Sequence, residues 1–239
     1  MGSLDNRIAL VTGASRGIGY HTALALALEG AHVLAMARTI GGLEELDDAI
    51  QQAGGSATLI PLDLTDYTAL DRLGASIDER WGKLDILVGN AGILGGLSPI
   101  GHFTPKVFDQ VMSINVTANW RLMRSLDPLL RASDAGRALF MTSGVAHTCK
   151  PFWGAYSASK AALEALAKTW AAESEKTTLG VNLFSPGPVR TAMRAQAMPG
   201  EDPETLPDPS ELAPAIVKLC SPETTRNGGL YSYKTGGWA

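Results

Sequence analysis

Cysteine is almost missing from this 239-residue chain, which has only Cys149 and Cys220. Two thiols so far apart in sequence read as free rather than bridged, and point to a reducing, cytoplasmic setting. No Cys/His cluster has the spacing of metal ligands, so no metal is expected. Basic residues do not outnumber acidic ones. Lys and Arg total 20 against 24 Asp and Glu, a net charge of −4, so no positive surface points to nucleic acid. Long apolar runs are lacking too. None reaches the roughly 20 residues of a membrane-spanning helix, and no signal-peptide pattern opens the chain, so no membrane partner is expected.

What the chain does have is rhythm. It is 45% hydrophobic and 18% charged, the balance of one globular domain of this length. After a polar lead-in over 1–7, apolar runs bounded by turn residues predict buried strands at 8–11, 31–36, 57–61, 84–88, 137–142, 181–184 and 230–233. Helix-period segments fall between them near 18–29, 41–53, 66–80, 104–131, 154–175 and 210–220. Such alternation predicts a single α/β domain over 1–239, a Rossmann-like doubly wound parallel sheet of about seven strands with helices on both faces. One stretch breaks the rhythm. Seven of the 13 prolines lie between Pro186 and Pro214, among Asp and Glu. A polar segment of that length after a strand's carboxyl end is either a surface excursion or a substrate lid, and 187–213 is read as the lid.

The first strand runs into Thr12-Gly13-Ala14-Ser15-Arg16-Gly17-Ile18-Gly19, with a helix following. Glycines so spaced let the backbone turn tightly and approach a pyrophosphate, and the helix N-terminus offers N–H groups to the anion. A lone glycine-rich turn says little, but its place between first strand and first helix is informative. The second strand then ends Met36-Ala37-Arg38-Thr39, without the carboxylate that would grip the ribose 2′-hydroxyl of NAD. Arg38, with Arg16 in the loop, suits a 2′-phosphate instead, so NADP(H) is favoured over NAD(H). The plainer alternative is that Arg38 is a solvated loop residue.

Tyr156 and Lys160 stand four residues apart, on one face of a helix. A phenol with a pKa of about 10 is a poor base near neutrality, and a fixed ammonium beside it lowers that value. Lys160 is therefore expected to bring the Tyr156 phenol down.

Taken together these residues resemble the short-chain dehydrogenase/reductase family, from Arg7 to about Trp238. The resemblance rests on the Thr-Gly-x-x-x-Gly-Ile-Gly loop; Leu62-Asp63-Leu64-Thr65 after the third strand; Asn90-Ala91-Gly92 after the fourth; Asn115; Ser143 after the fifth; Tyr156 with Lys160; and Pro186-Gly187 after the sixth. The stretch 185–193 and the short C-terminus also look like an uncharacterised bacterial subgroup. One departure is visible, since Gly89 stands where the family often has a second Asn.

The resemblance implies an NADP(H)-dependent oxidoreductase interconverting a carbonyl and a secondary alcohol. In it Tyr156 is the general acid or base, Ser143 holds the reacting oxygen, Lys160 holds the nicotinamide ribose, and Asn115 holds a water in a proton relay. Asp63 and Leu64 would lie by the adenine. Asn90, Ala91 and Gly92 would flank the cofactor with Gly13, Ser15, Arg16, Gly17, Ile18 and Gly19. Pro186, Gly187, Val189 and Thr191 would bracket the carboxamide, although Thr191 also reads as a helix N-cap. A homodimer or homotetramer is implied through the helices 104–131 and 154–175. Trp120, Leu122, Met123, Leu126, Leu129 and Leu130 there form an apolar surface whose division between core and interface the sequence leaves open.

The substrate is the least legible part. Candidate pocket residues are Ile93, Leu94, Val145, His147, Trp153, Met193 and Met198, mainly apolar. They favour a neutral or partly apolar carbonyl or alcohol, with a 3-oxoacyl thioester reductase as one specific option. His147 reads more readily as a loop residue and Trp153 equally as a packing residue, and Arg190 and Arg194 read as solvated lid charges sooner than as partners of an acidic substrate group. A catalytically silent dinucleotide-binding sensor or scaffold is the alternative class, and a Ser–His hydrolase the remote third.

Overall fold

The computed structural model describes residues 2–239, so Met1 of the lead-in lies outside the described residues. Eight strands form one sheet in the order β3-β2-β1-β4-β5-β6-β7-β8. They are β1 Ile8–Thr12, β2 His32–Ala37, β3 Ser56–Pro61, β4 Ile86–Gly89, β5 Arg137–Met141, β6 Gly180–Ser185, β7 Leu230–Ser232 and β8 Gly237–Trp238. All neighbours pair in parallel except β7 with β8. The antiparallel two-residue β8 is one strand more than predicted. It returns after a tight turn, with the Ala239 amide donating to the Leu230 carbonyl at 2.8 Å.

The helices are α1 Gly17–Leu28, α2 Ile40–Gln52, α3 Tyr67–Trp81, α4 Pro105–Met112, α5 Ala118–Ala132, α6 Val145–Thr148, α7 Gly154–Glu173, α8 Ala192–Ala197 and α9 Ala213–Cys220. Successive strand residues point to opposite faces, and the core divides accordingly. Ala9, Val11, Val33 and Ala35 pack with Leu26, Leu43, Leu46 and Ile216 on one face. Leu10, Leu34 and Met36 pack with Leu70, Leu126 and Leu163 on the other. Of the apolar surface on α5, Leu122, Met123, Leu126, Leu129 and Leu130 are buried within this chain and only Trp120 is exposed.

Two predicted elements differ. The helix expected over 104–131 is interrupted by a π turn, Ser113–Thr117, between α4 and α5. The predicted lid is not plain loop. It carries α8 and two 3-10 turns, Pro203–Thr205 and Pro209–Leu212, and is laced by ion pairs of Arg190 with Glu204 and Asp208 and of Arg194 with Glu201.

At the amino ends of the strands, buried Asp85 receives Arg7 (3.0 Å), Lys83 (3.0 Å), the Ser133 hydroxyl (2.6 Å) and the Ile8 amide (2.9 Å). Burial pushes its carboxyl up, but these donors together hold it below the usual range.

Candidate active site

The strand order reverses between β1 and β4, and the carboxyl ends there open a crevice suited to a ligand. Thr12 at the end of β1 ties its two sides. Its hydroxyl accepts the Asn90 and Ala91 amides, each at 3.0 Å, and the Asn90 side-chain amide donates to the Thr12 carbonyl at 2.9 Å. Asn90 thus braces the glycine loop against the end of β4. Gly13 and Gly17 have φ of +67° and +57°, left-handed values that favour glycine. A Cβ on Gly19 would collide with the Gly13 carbonyl and the Asn90 amide. The N-terminus of α1 has no side-chain cap, so its first N–H groups remain available to an anion. A glycine cradle at an uncapped helix start fits a dinucleotide pyrophosphate.

At the tip of β2, Arg38 is exposed and lies 3.8 Å from Asp63. Two hydrogen bonds from Thr65 lower the Asp63 carboxyl pKa, with Arg38 helping. Arg16 is exposed on the loop. Leu64, next in sequence to Asp63, is partly buried against the core.

Ser143, at the end of β5, stands near enough to Tyr156, in the first turn of α7, for its hydroxyl to act on the phenol. Lys160 stands one turn on. Its ammonium donates to the Met141 carbonyl at 2.7 Å and lies 5.7 Å from the Tyr156 ring centre. Both side chains are almost wholly buried. Burial pushes the Tyr156 phenol up to about 12, with Ser143 pulling the other way. Burial also lowers the Lys160 ammonium to about 8. The expected lowering of the phenol by Lys160 is therefore not met in the protein alone, because desolvation of the phenolate dominates.

Asn115 sits in the π turn, completely buried. Its side chain clasps the Ile93 backbone, accepting the amide at 2.8 Å and donating to the carbonyl at 2.9 Å, and donates to the Ser159 hydroxyl at 3.0 Å. Its own carbonyl accepts the Asn119 amide at 2.9 Å. The π turn supplies the offset that carries this side chain sideways to the loop after β4. Gly89 has a steric reason, since a Cβ there would meet the Phe140 ring and the Asn119 side chain.

Leu94, Val145, Tyr156 and Ala197 form a small apolar cluster with Trp153, Met193 and Met198 around it. The 187–213 segment thus contributes through α8. Ile93 is held by Asn115 and is not part of this cluster, and His147 turns to Glu164 instead, 3.1 Å away. Thr191 caps α8, accepting the Arg194 amide at 3.2 Å. Its methyl lies near Gly17, and Val189 beside it is buried. Pro186 and Gly187 make the turn out of β6, with Gly187 at φ +72°.

Gly13-Ala14-Ser15-Arg16-Gly17 also spells the Gly-x-Ser-x-Gly of a hydrolase nucleophile turn. Among the described residues no histidine hydrogen-bonds Ser15, so the motif carries no triad here. Glu164, one turn beyond Lys160, escaped the sequence reading. The signal was available in the repeat of polar groups every fourth residue from Tyr156 through Lys160 and Glu164 to Lys168.

A family model described as short chain dehydrogenase matches residues 7–202. The chain belongs to the short-chain dehydrogenase family. The oxidoreductase YciK of Escherichia coli K12 is 38% identical over 230 residues, covering 95% of this chain and 91% of that protein. A short chain dehydrogenase structure from Pseudomonas syringae superposes with a TM-score of 0.93 at 39% identity, covering 96% of this chain and 95% of that one. Another, from Shigella flexneri 2a and complexed with NADP, gives 0.92 at 36% identity, covering 97% and 98%. This short-chain dehydrogenase is thus an oxidoreductase of a family that binds a nicotinamide cofactor. Among its described residues no helix is long and apolar enough to cross a membrane.

Proposed function

We propose that this short-chain dehydrogenase is an NADP(H)-dependent enzyme interconverting a carbonyl and a secondary alcohol, with Tyr156 as its general acid and base. The observation that carries the reading is the gathering of Ser143 with buried Tyr156 and buried Lys160, these two one turn apart on α7, beside the glycine-loop crevice. The bound nicotinamide supplies or accepts the hydride. Everything else falls to the chain. Ser143 donates to the substrate oxygen and steadies alkoxide charge as it develops. Tyr156 gives that oxygen its proton in reduction and removes it in oxidation. A phenol held near 12 stays protonated at neutral pH in the protein alone, the form that can donate its proton. Lys160 holds the ribose hydroxyls, and Asn115 keeps the 90–93 loop in register.

NADP(H) over NAD(H) rests on exposed Arg38, with Arg16 across the crevice mouth, and on the want of a carboxylate at the tip of β2. The NADP complex of the Shigella relative agrees. Asp63 and Leu64 lie by the adenine in this reading, and Val189 and Thr191 by the carboxamide.

The substrate is a neutral carbonyl with an apolar flank, because the wall opposite Tyr156 is Leu94, Val145, Trp153, Met193 and Met198. Arg190 and Arg194 are already paired with lid carboxylates, which leaves an anionic substrate without a dedicated partner. A 3-oxoacyl thioester meets that description at its reacting end. The reading extends to a cytoplasmic homodimer or homotetramer assembled through α4, α5 and α7, with 187–213 as the lid.

The test is NADPH oxidation against a panel of neutral and anionic carbonyls, wild type beside Tyr156→Phe. Turnover of neutral apolar carbonyls by the wild type, at least about a hundredfold lower in the variant with NADPH binding retained, is expected. Equal rates in the two proteins would remove Tyr156 from the chemistry. Tight NADPH binding without turnover would favour the sensor or scaffold.

A further inference from the structure

Glu164 is a buried carboxylate that the proposed chemistry does not use, on the same face of α7 as Tyr156 and Lys160 and one turn farther along. A buried carboxylate is costly unless it is well partnered, and this one is. Thr142, the residue immediately before Ser143, donates its hydroxyl to Oε1 at 2.6 Å. His147, on α6 immediately after the Ser143 turn, places Nε2 3.1 Å from the same oxygen. Lys168 approaches Oε2 at 3.4 Å. One carboxylate thus grips the chain on both sides of Ser143, from a helix that also carries Tyr156 and Lys160. No other described residue bridges those two parts of the site in this way.

We propose that Glu164 is a positioning residue that sets Ser143 against Tyr156 through Thr142 and His147, with its carboxylate one helical turn from Lys160. The kinetic consequences rest on the oxidoreductase reading above, whereas the effect on Lys160 does not.

The electrostatic arm follows from the groups in reach. The titratable groups facing Glu164 are His147 from α6 and Lys160 and Lys168 from its own helix, and β5 offers the neutral Thr142. Around Lys160, β5 presents the neutral Met141 carbonyl, and Glu164 is the charged group that favours its ammonium against burial. An uncharged isostere at 164 therefore makes Lys160 lose its proton at lower pH. The geometric arm is separate. Loss of the donor at 142 or 147 loosens Ser143 without removing the negative charge near Lys160.

The experiment uses four variants of the whole chain, with near-UV circular dichroism to establish folding. NMR titration of ε-13C-labelled lysines in the cofactor-free protein follows Lys160, assigned through Lys160→Met. In the wild type its transition is expected at about 8. In Glu164→Gln it should fall by about one pH unit, and the alkaline limb of kcat should move with it. Thr142→Val and His147→Ala should lower kcat about tenfold, with NADPH affinity and the Lys160 transition unmoved. His147→Gln, which keeps a donor, should retain most of the wild-type rate. An unmoved lysine transition in folded Glu164→Gln overturns the electrostatic arm. Wild-type kcat in both Thr142→Val and His147→Ala overturns the geometric one, and that pair decides the proposal if Glu164→Gln fails to fold. A wild type inactive on every carbonyl defeats the oxidoreductase reading instead, while the lysine titration still decides whether Glu164 sustains Lys160.

Discussion

Lys160 shows how a single side chain sets function against stability. Its ammonium is buried and its pKa is lowered to about 8 from 10.5. The folded state therefore disfavours the charged form, and the unfolded chain holds more protons between those values. Stability attributable to this group rises as pH climbs from about 8 to 10.5, by up to about 1.4 kcal/mol per pH unit. Lys160→Met should resist urea better than wild type at pH 7, and the gap should close over that window. A gap constant from pH 7 to 10.5 would show that the ammonium is not desolvated. Arg38 tests cofactor choice in the same way. Arg38→Asp should raise the NADPH dissociation constant by about ten- to a hundredfold, the equivalent of roughly 1.4–3 kcal/mol for a charge-assisted phosphate contact, and improve NADH. No change in the NADPH to NADH ratio would leave Arg38 a solvated residue. At this scale the sequence was legible where a motif fixes the neighbours, as at Ser143, Tyr156 and Lys160. It pointed the wrong way on the Tyr156 shift, because burial depends on what α7 packs against.

Elements were legible in proportion to their length and period. All seven predicted strands and most of the helices stand close to where alternation puts them because buried parallel strands and amphipathic helices carry strong patterns. Even β7, three residues at the thin edge of the sheet, lies within its predicted span. β8 escaped because two residues have no period. The π turn escaped because the same side chains suit α and π geometry, and only the pull of Ile93 on Asn115 distinguishes them. Two further outcomes belong to elements. Gly19→Ala should destabilise the protein by about 1–3 kcal/mol in urea melts, since the new methyl meets a backbone carbonyl rather than a flexible side chain. Arg194→Ala unpins α8 from Glu201 and should raise the substrate KM up to about fivefold, the worth of one partly exposed ion pair, with kcat less affected. Limited proteolysis of that variant should cut sooner within 187–213, and an unchanged cutting pattern would mean that other contacts hold the lid.

Across the whole molecule the two ends of the sheet do different work. The carboxyl ends carry the glycine loop, Ser143 and the 187–213 segment, whereas the amino ends carry the charged knot around Asp85. The division that the sequence left open falls mostly to the core, since Trp120 and Phe108 stand out while the leucines of α5 are internal. Phe108→Glu combined with Trp120→Glu should convert the proposed oligomer to monomer in light scattering, and a monomeric wild type would retire that proposal. The interruption at 113–117 has a bearing here. Phe108 and Trp120 are twelve positions apart, so an unbroken α-helix would point them about 120° from each other. One surplus residue wound into a wider turn takes back about 100° of that phase. The slip that lets Asn115 reach Ile93 thus works like a vernier, bringing two aromatic rings on separate helices to nearly the same bearing. Deleting a single residue there would throw the outer surface out of step along with the inner one.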